Sequence, residues 1–105
     1  MDTKAVSNSF QTFMKEASEH ADIWTEAVQK LGAVSKLDKK TEELAYIAVL
    51  AAMRMEGGIP FHVKQAKRYG VSREEIISAV LVGLPAAGNV VTAVLPSAIN
   101  AYDEE

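Results

Sequence analysis

The sequence predicts an all-α fold, and three observations support this prediction. Apolar residues recur at helical spacing along nearly the whole chain, and no stretch shows the strict alternation of a half-buried strand. Glycines and prolines fall between the periodic stretches, where helices begin and end. The chain has 105 residues, which is typical of one domain, and no repeat or low-complexity tract marks a boundary. We therefore expect one domain spanning residues 1–105.

Two amphipathic helices are predicted in the first third of the chain. A junction is expected at residues 19–22, with Asp22 as the N-cap of the second helix. The second helix is expected to bury one face and to end at Gly32. The apolar stripe of the first helix consists of Phe10, Phe13, Met14 and Ala17, and that of the second consists of Ile23, Trp24, Ala27, Val28 and Leu31.

The third and fourth helices are predicted to form a hairpin. Asp38 is the expected N-cap of the third helix, and Gly57 and Gly58 end it. Pro60 lies in the first turn of the fourth helix, where its missing N–H costs nothing, and Gly70 ends that helix. Two helices joined by a tight turn are expected to pack as an αα-hairpin. The third helix carries the apolar residues Leu44, Ile47, Ala48, Leu50, Ala51 and Met55.

The fifth helix has the strongest start signal. Ser72 with Glu75 forms a capping box, and Val71 with Ile76 supplies the matching hydrophobic staple. About five to six helices are expected in total, because Pro85 is expected to break the chain that follows into two helices.

Residues 76–102 contain no charged side chain. This segment is long enough for a membrane span, but prolines, glycines and asparagines interrupt it and no basic flank anchors it. Since a domain of this size has too little interior to bury the whole segment, we expect it to make subunit contacts in an obligate homo-oligomer. The small residues expected at the contact are Ala86, Ala87, Gly88 and Ala93.

Composition excludes several classes of function. The net charge is −3 and the basic residues are not clustered, so no nucleic-acid partner is expected. The absence of cysteine excludes disulfides, thiolate metal sites and thiol redox chemistry. No metal or cofactor is expected, because the two histidines are far apart. The N-terminus lacks the apolar core of a secretory signal, which favours a cytoplasmic protein that does not insert into a membrane.

His62 is the principal candidate for chemistry. It follows Gly-Gly-Ile-Pro in the first turn of the fourth helix, where free backbone N–H groups and the helix dipole disfavour the imidazolium form. A neutral imidazole can accept a proton near pH 7. The alternative is that His62 only satisfies a backbone group. Glu43, early in the third helix, is the candidate partner, or else a carboxylate placed there by the helix dipole. Spacing leaves open whether the two side chains meet.

Three more residues are candidates for substrate binding. Tyr46 lies one turn beyond Glu43 and Tyr69 two turns beyond His62, each on the same helix face, so each could offer a hydroxyl or form the edge of a core. Arg54, in the last predicted turn of the third helix, could bind a carboxylate or could complement the helix C-terminus.

Residues 36–76, KLDKKTEELAYIAVLAAMRMEGGIPFHVKQAKRYGVSREEI, resemble the carboxymuconolactone decarboxylase family, which also holds the AhpD-like alkylhydroperoxidases. The resemblance rests on LDKKTEEL opening a helix, the small-residue stretch AVLAA, the pattern H-V-x-x-A after a turn, and GVSREEI entering the next helix. It implies an all-helical subunit assembled into rings, typically hexameric trimers of dimers, with pockets at the subunit contacts.

The resemblance also implies roles for individual residues. The peroxidase branch uses C-x-x-C-x-x-x-H with a glutamate on the preceding helix as proton relay. His62 and Glu43 stand at the histidine and glutamate positions, but Met55 and Gly58 stand at the cysteine positions, so a dithiol cycle cannot operate. The decarboxylase branch lacks the cysteines and keeps the histidine, although residues 57–60 replace the charged residues that often precede it.

Three hypotheses follow. The first is a cofactor-free lyase or proton-transfer enzyme that acts on a small carboxylated lactone or organic acid. In it His62 is the acid or base, Glu43 is its partner, and Arg54 or the N-terminus of the fourth helix binds the anion. The second is a thiol-free AhpD-like homologue that binds a small molecule or a partner without turnover. The third is a purely structural oligomer. The first two predict an accessible His62, and the third predicts a sealed one.

Overall fold

The computed structural model describes residues 6–104, and these contain helices and no strand. Six helices of nine residues or more and one single turn are present in this part of the chain, which confirms the all-α prediction. They are α1 (Asn8–Glu16), α2 (Ser18–Val34), α3 (Lys39–Ala52), α4 (Ile59–Arg68), α5 (Arg73–Leu81), the single turn α6 (Leu84–Ala87) and α7 (Leu95–Asp103). Two 3-10 segments, Glu56–Gly58 and Gly88–Val94, precede α4 and α7.

The core lies between α3, α4, α5, α7 and the second 3-10 segment. Each of these elements contributes apolar side chains spaced three or four residues apart, so one face of each is removed from water. Full burial of such a side chain stabilises the fold by about 1.5–3 kcal/mol. The largest fully buried side chains are Ile47, Ile59, Val63, Val71, Ile76, Val80, Val91 and Val94.

Two helix starts are capped as predicted. The Asp38 carboxylate accepts from the Thr41 N–H at 2.8 Å, and this bond lowers the pKa of Asp38 below its ordinary range. In the capping box, the Glu75 N–H donates to Ser72 Oγ at 3.1 Å and the Ser72 N–H donates to Glu75 Oε1 at 2.8 Å. The second bond lowers the pKa of Glu75.

The predicted boundaries of α2 are wrong at both ends. The junction lies at Ala17, whose φ of −133° and ψ of 53° interrupt the helix, so Asp22 lies inside α2 and is not its N-cap. Ala17 offers no side-chain cap, which is why the sequence does not mark the break. Gly32 does not end α2, because a single glycine costs a helix only about 1 kcal/mol. The helix ends at Val34, because the backbone of Ser35 is extended.

The expected burial of the α2 face is also wrong. Ile23, Trp24, Val28 and Leu31 are all exposed, and Ala21 is the one buried residue of α1 and α2. The reason is that α2 packs mainly against α1, and the two helices stand beside the core as an arm. The α2 sequence is amphipathic, but no other described element of the chain covers its apolar face.

The uncharged segment folds back on itself. The stretch Arg73–Asp103, which contains this segment, is long and apolar enough for one membrane span. It is divided into α5, α6, the second 3-10 segment and α7, and α5 packs against α7. One face of the segment forms part of the core of the chain itself, and the other face, which includes Val82, Leu84 and Val90, is exposed. The break comes before Pro85, because α5 ends at Leu81 and Pro85 is the second residue of the single turn α6. The small residues Ala86, Ala87, Gly88 and Ala93 are exposed, and a subunit contact there stays a prediction.

The end of α7 is fastened over the connection between α4 and α5. The Tyr102 hydroxyl donates to the Val71 carbonyl at 2.8 Å, and Lys67 Nζ donates to the Tyr102 carbonyl at 2.6 Å. Arg73 donates to both carboxylate oxygens of Asp103, at 2.9 and 3.2 Å. This bidentate ion pair raises the pKa of Arg73 and lowers the pKa of Asp103.

Candidate acid-base site

The α3–α4 hairpin brings Glu43 and His62 into direct contact. His62 Nδ1 lies 2.9 Å from Glu43 Oε2, although 19 positions separate the residues in the chain. The two helices pack as a hairpin, as predicted, but α3 ends at Ala52 and not at Gly57 and Gly58, which belong to the 3-10 segment before α4. The hairpin can close tightly because Gly58 has no side chain. A Cβ at Gly58 would lie 3.2 Å from the side chain of Leu50 on α3, so a larger residue would push the start of α4 away.

The contact defines which nitrogen of His62 carries a proton. A carboxylate can only accept hydrogen bonds, so Nδ1 is the donor and Nε2 is the nitrogen left to exchange a proton. No hydrogen bond to Nε2 is made by any described residue. The His62 side chain is 23% exposed and that of Glu43 is 16% exposed. The structural-oligomer hypothesis predicts a sealed imidazole, but within the single chain the imidazole is not sealed.

Two aromatic rings position the imidazole. Tyr46 stacks on it with ring centroids 4.1 Å apart and an angle of 26° between the planes, and Phe61 meets it edge-on at 5.2 Å and 83°. Tyr46 therefore lies beside the pair and contacts it through its ring face, while its role in substrate binding stays a prediction. Sequence reasoning missed Phe61, because adjacent residues on a helix are not expected to face one another.

Tyr69 and Arg54 are not brought to the pair. The Tyr69 hydroxyl accepts from Gln65 Nε2 at 3.4 Å and contacts neither Glu43 nor His62. Arg54 lies two residues beyond the end of α3, with a φ of 58°, so the prediction that it occupies the last turn is wrong. The nine residue steps from Glu43 to Ala52 already span about 13 Å along the helix axis. The exposed Arg54 side chain forms no ion pair with any described residue.

The N-terminus of α4 is a poorer anion site than expected. The Ile59 N–H is already bonded to the Glu56 carbonyl, and Pro60 has no N–H to offer. The Glu56 carboxylate, which accepts from Ser97 Oγ at 2.6 Å, adds a negative charge to the preceding turn. Both features weaken the attraction of this helix end for a substrate anion.

Two depressions lie on the α1–α2 arm and neither includes the pair. One of about 510 Å³ is lined by polar residues together with Met14 and Ala21, and one of about 330 Å³ is lined by Phe13, His20 and Trp24 among others. Within residues 6–104, no group of three His, Asp or Glu side chains is arranged to hold a metal ion.

The chain resembles known proteins both in sequence and in fold. The sequence profile of the carboxymuconolactone decarboxylase family matches residues 18–99. The crystal structure of a carboxymuconolactone decarboxylase family protein from Legionella pneumophila, in its apo form, superposes with a TM-score of 0.75 at 25% sequence identity, covering 90% of this chain and 85% of that one. No curated protein matches. Since the family profile covers most of its length, this cysteine-free chain belongs to the carboxymuconolactone decarboxylase family.

Proposed function

We propose that this protein is a cofactor-free enzyme that decarboxylates, or moves a proton on, a small carboxylated lactone or organic acid. The observation that supports the proposal most directly is the 2.9 Å bond between Glu43 and His62. A carboxylate that holds one imidazole nitrogen while the other stays free is an arrangement suited to general acid-base catalysis. The family of the chain supports the same class of reaction.

The proton transfer would run through His62 Nε2. In decarboxylation of a conjugated lactone, the bond from ring carbon to carboxylate breaks, CO2 leaves, and the electron pair spreads toward the lactone carbonyl. A carbon of the substrate ring then takes the proton from Nε2–H of the His62 imidazolium. Solvent returns a proton to Nε2 before the next turnover. Glu43 stabilises the imidazolium through Nδ1–H and so acts as the positioning residue. The rings of Tyr46 and Phe61 keep the imidazole in one orientation.

A second candidate function is binding without turnover. It is favoured by the weakness of both candidate anion sites. Arg54 lies beyond the C-terminal end of α3, whereas Glu43 lies near its start, and the α4 N-terminus has few free N–H groups. A site without a cation near the developing negative charge lacks one of the components that decarboxylation requires. Dithiol peroxide reduction is excluded for this chain alone, since it contains no thiol.

The decisive experiment measures CO2 release from a panel of carboxylated lactones. We expect His62→Ala to abolish turnover and Glu43→Gln to lower kcat by roughly 10²–10⁴-fold, because the glutamine cannot stabilise the imidazolium. Glu42→Gln is the matched control, since Glu42 is the neighbouring carboxylate on α3 and makes no bond to His62. Circular dichroism and thermal melting verify that each variant folds.

Three outcomes separate the candidates. Equal activity of the Glu43→Gln and Glu42→Gln proteins would refute the proposed dyad. Ligand binding that requires His62, measured by calorimetry without any CO2 release, would support the binding protein instead. A His62→Ala protein that only loses stability would support the structural oligomer.

A further inference from the structure

The contact between Glu43 and His62 sets the charge of the site before a substrate arrives. The Glu43 carboxylate accepts from Nδ1–H, so a neutral imidazole leaves the pair with a negative charge and a free lone pair on Nε2. Neither side chain is more than 23% exposed, so water and salt screen this charge only in part. The resting pair is therefore a proton acceptor in negative surroundings.

No basic side chain offsets this charge within residues 6–104. The only ion pair of Glu43 in this part of the chain is the one with His62. Lys39, one turn earlier on α3, is exposed and forms no ion pair with a described residue, and Arg54 lies beyond the other end of α3. A substrate carboxylate held against Nε2 would meet the charge of Glu43 without a counter-ion, whereas an uncharged C–H group would not.

The ring of Tyr46 favours the cation that His62 becomes when it takes up a proton. Its face lies on the imidazole, with ring centroids 4.1 Å apart and an angle of 26° between the planes. The face of an aromatic ring carries the negative part of its quadrupole and attracts a cation within about 6 Å. Glu43 acts in the same direction through Nδ1–H. Both neighbours therefore stabilise an imidazolium that forms by proton uptake, which is the task of a general base.

We infer that this site takes a proton from an uncharged carbon acid, a lactone or ketone with a C–H beside its carbonyl, and isomerises it without loss of CO2. The inference rests on the proposed function and selects proton transfer from the two reactions that it includes. Removal of a proton and loss of CO2 lead to the same enolate. They differ in the imidazole that they need, because C–H cleavage needs a neutral base, whereas protonation after loss of CO2 needs an imidazolium.

The chemical step requires no further reactant. The C–H bond of the substrate breaks, its proton bonds to His62 Nε2, and the electron pair moves toward the carbonyl oxygen to form the enolate. The new imidazolium then lies beside the enolate and supplies the positive charge that the described residues otherwise lack at this site. Nε2–H returns the proton to a second carbon of the conjugated enolate, which shifts the double bond and restores the neutral imidazole.

Hydrogen exchange in heavy water tests the inference. One probe is α-angelica lactone, which is uncharged and has an acidic C–H beside its carbonyl, and the matched probe carries a carboxylate on that carbon. We expect deuterium to enter the uncharged lactone roughly 10²–10⁴-fold faster with the wild type than with His62→Ala, measured by proton NMR, and no CO2 release from the matched probe. CO2 release without exchange of the uncharged lactone would overturn the inference and leave decarboxylation standing. If neither reaction occurs, the inference and the proposed function both fail.

Variants of Tyr46 test the part played by its ring face. We expect Tyr46→Leu, which removes the face, to slow the exchange several-fold, and Tyr46→Phe, which keeps the face and loses the hydroxyl, to restore most of the rate. Glu42→Gln is the control, because Glu42 makes no bond to His62 and its loss should leave exchange unchanged. Exchange as slow in the Tyr46→Phe protein as in the Tyr46→Leu protein would overturn the role of the ring face.

Nitrogen NMR of the imidazole tests the resting state without a substrate. At the pH of the exchange assay, about 8, which lies above the ordinary histidine pKa of about 6.5, we expect a protonated Nδ1 and a bare Nε2. Protonation of both nitrogens would make His62 an acid at rest and overturn the inference while leaving decarboxylation possible. A proton on Nε2 alone would mean that Glu43 does not hold Nδ1–H, and the dyad behind both proposals would be refuted.

Discussion

Arg54 and Gly70 occupy the same position in the turns that end α3 and α4. After α3, the Arg54 N–H bonds to the Ala51 carbonyl and the Met55 N–H to the Leu50 carbonyl. After α4, the Gly70 N–H bonds to Lys67 and the Val71 N–H to Ala66 in the same pattern. This Schellman turn requires a left-handed residue, and the φ angles are 58° at Arg54 and 87° at Gly70. Glycine adopts this conformation without strain, whereas arginine does not.

The two turns predict opposite effects of exchanging side chains. We expect Arg54→Gly to stabilise the protein by about 0.5–1 kcal/mol, because it removes the left-handed strain, and Gly70→Ala to destabilise it by about 1–2 kcal/mol. Urea unfolding of both variants at one protein concentration measures the difference. A clear loss of stability in the Arg54→Gly protein would mean that the Arg54 side chain contributes more to stability than its left-handed backbone costs.

The capping box of α5 links helix formation to pH. The Ser72 N–H bond lowers the pKa of Glu75, so the folded protein binds fewer protons than the unfolded chain as the pH approaches the ordinary range of glutamate. The contribution of Glu75 to stability is therefore present above the ordinary pKa of the residue and is lost as the pH falls through its lowered value.

Glu75→Gln tests this linkage, because glutamine can keep the reciprocal hydrogen bond but does not titrate. We expect the free energy of unfolding of the wild type to fall between pH 7 and pH 3, and to fall by less in the variant. Urea unfolding followed by circular dichroism across this range provides the measurement. An identical pH dependence in both proteins would show that other carboxylates, such as Asp103 in its pair with Arg73, dominate acid unfolding.

The whole molecule divides into a packed core and an arm, and α3 contributes to both the core and the open surface. Ile47 is fully buried on its inner face, and Val49 is exposed on its outer face two positions later. Because the helix period places these side chains on different sides, substitutions on the same helix report separately on the core and on the open surface.

Alanine substitutions at these two positions distinguish the two kinds of stability. We expect Ile47→Ala to lower the free energy of unfolding by about 2–5 kcal/mol at any protein concentration, because it leaves a cavity in the core. Val49→Ala should change it by less than about 0.5 kcal/mol in dilute solution and should weaken the protein only at concentrations where copies associate. Melting curves over a hundredfold concentration range provide the comparison. A concentration-independent loss for Val49→Ala would place Val49 in the core of the single chain.

Local signals in the sequence determined much of the helical framework. The starts at Asp38 and Ser72, the proline start of α4 and the glycine stop at Gly70 were all predicted, because each depends on bonds or backbone angles within a few residues. The break at Ala17 was not predicted, because alanine has no side chain that can cap a helix. The family, too, could be inferred from the sequence pattern and is supported by the family profile.

Only the tertiary structure decided which faces are covered and which candidate residues meet. Periodicity showed that α2 has an apolar stripe, but burial depends on a neighbouring element, and α2 has only α1 beside it. Glu43 and His62 were chosen as candidates from the sequence, yet their 2.9 Å contact depends on how α3 and α4 cross, which no local signal encodes. Arg54 was a candidate as well, but it lies in the left-handed turn beyond the end of α3, whereas Glu43 lies near the start of that helix.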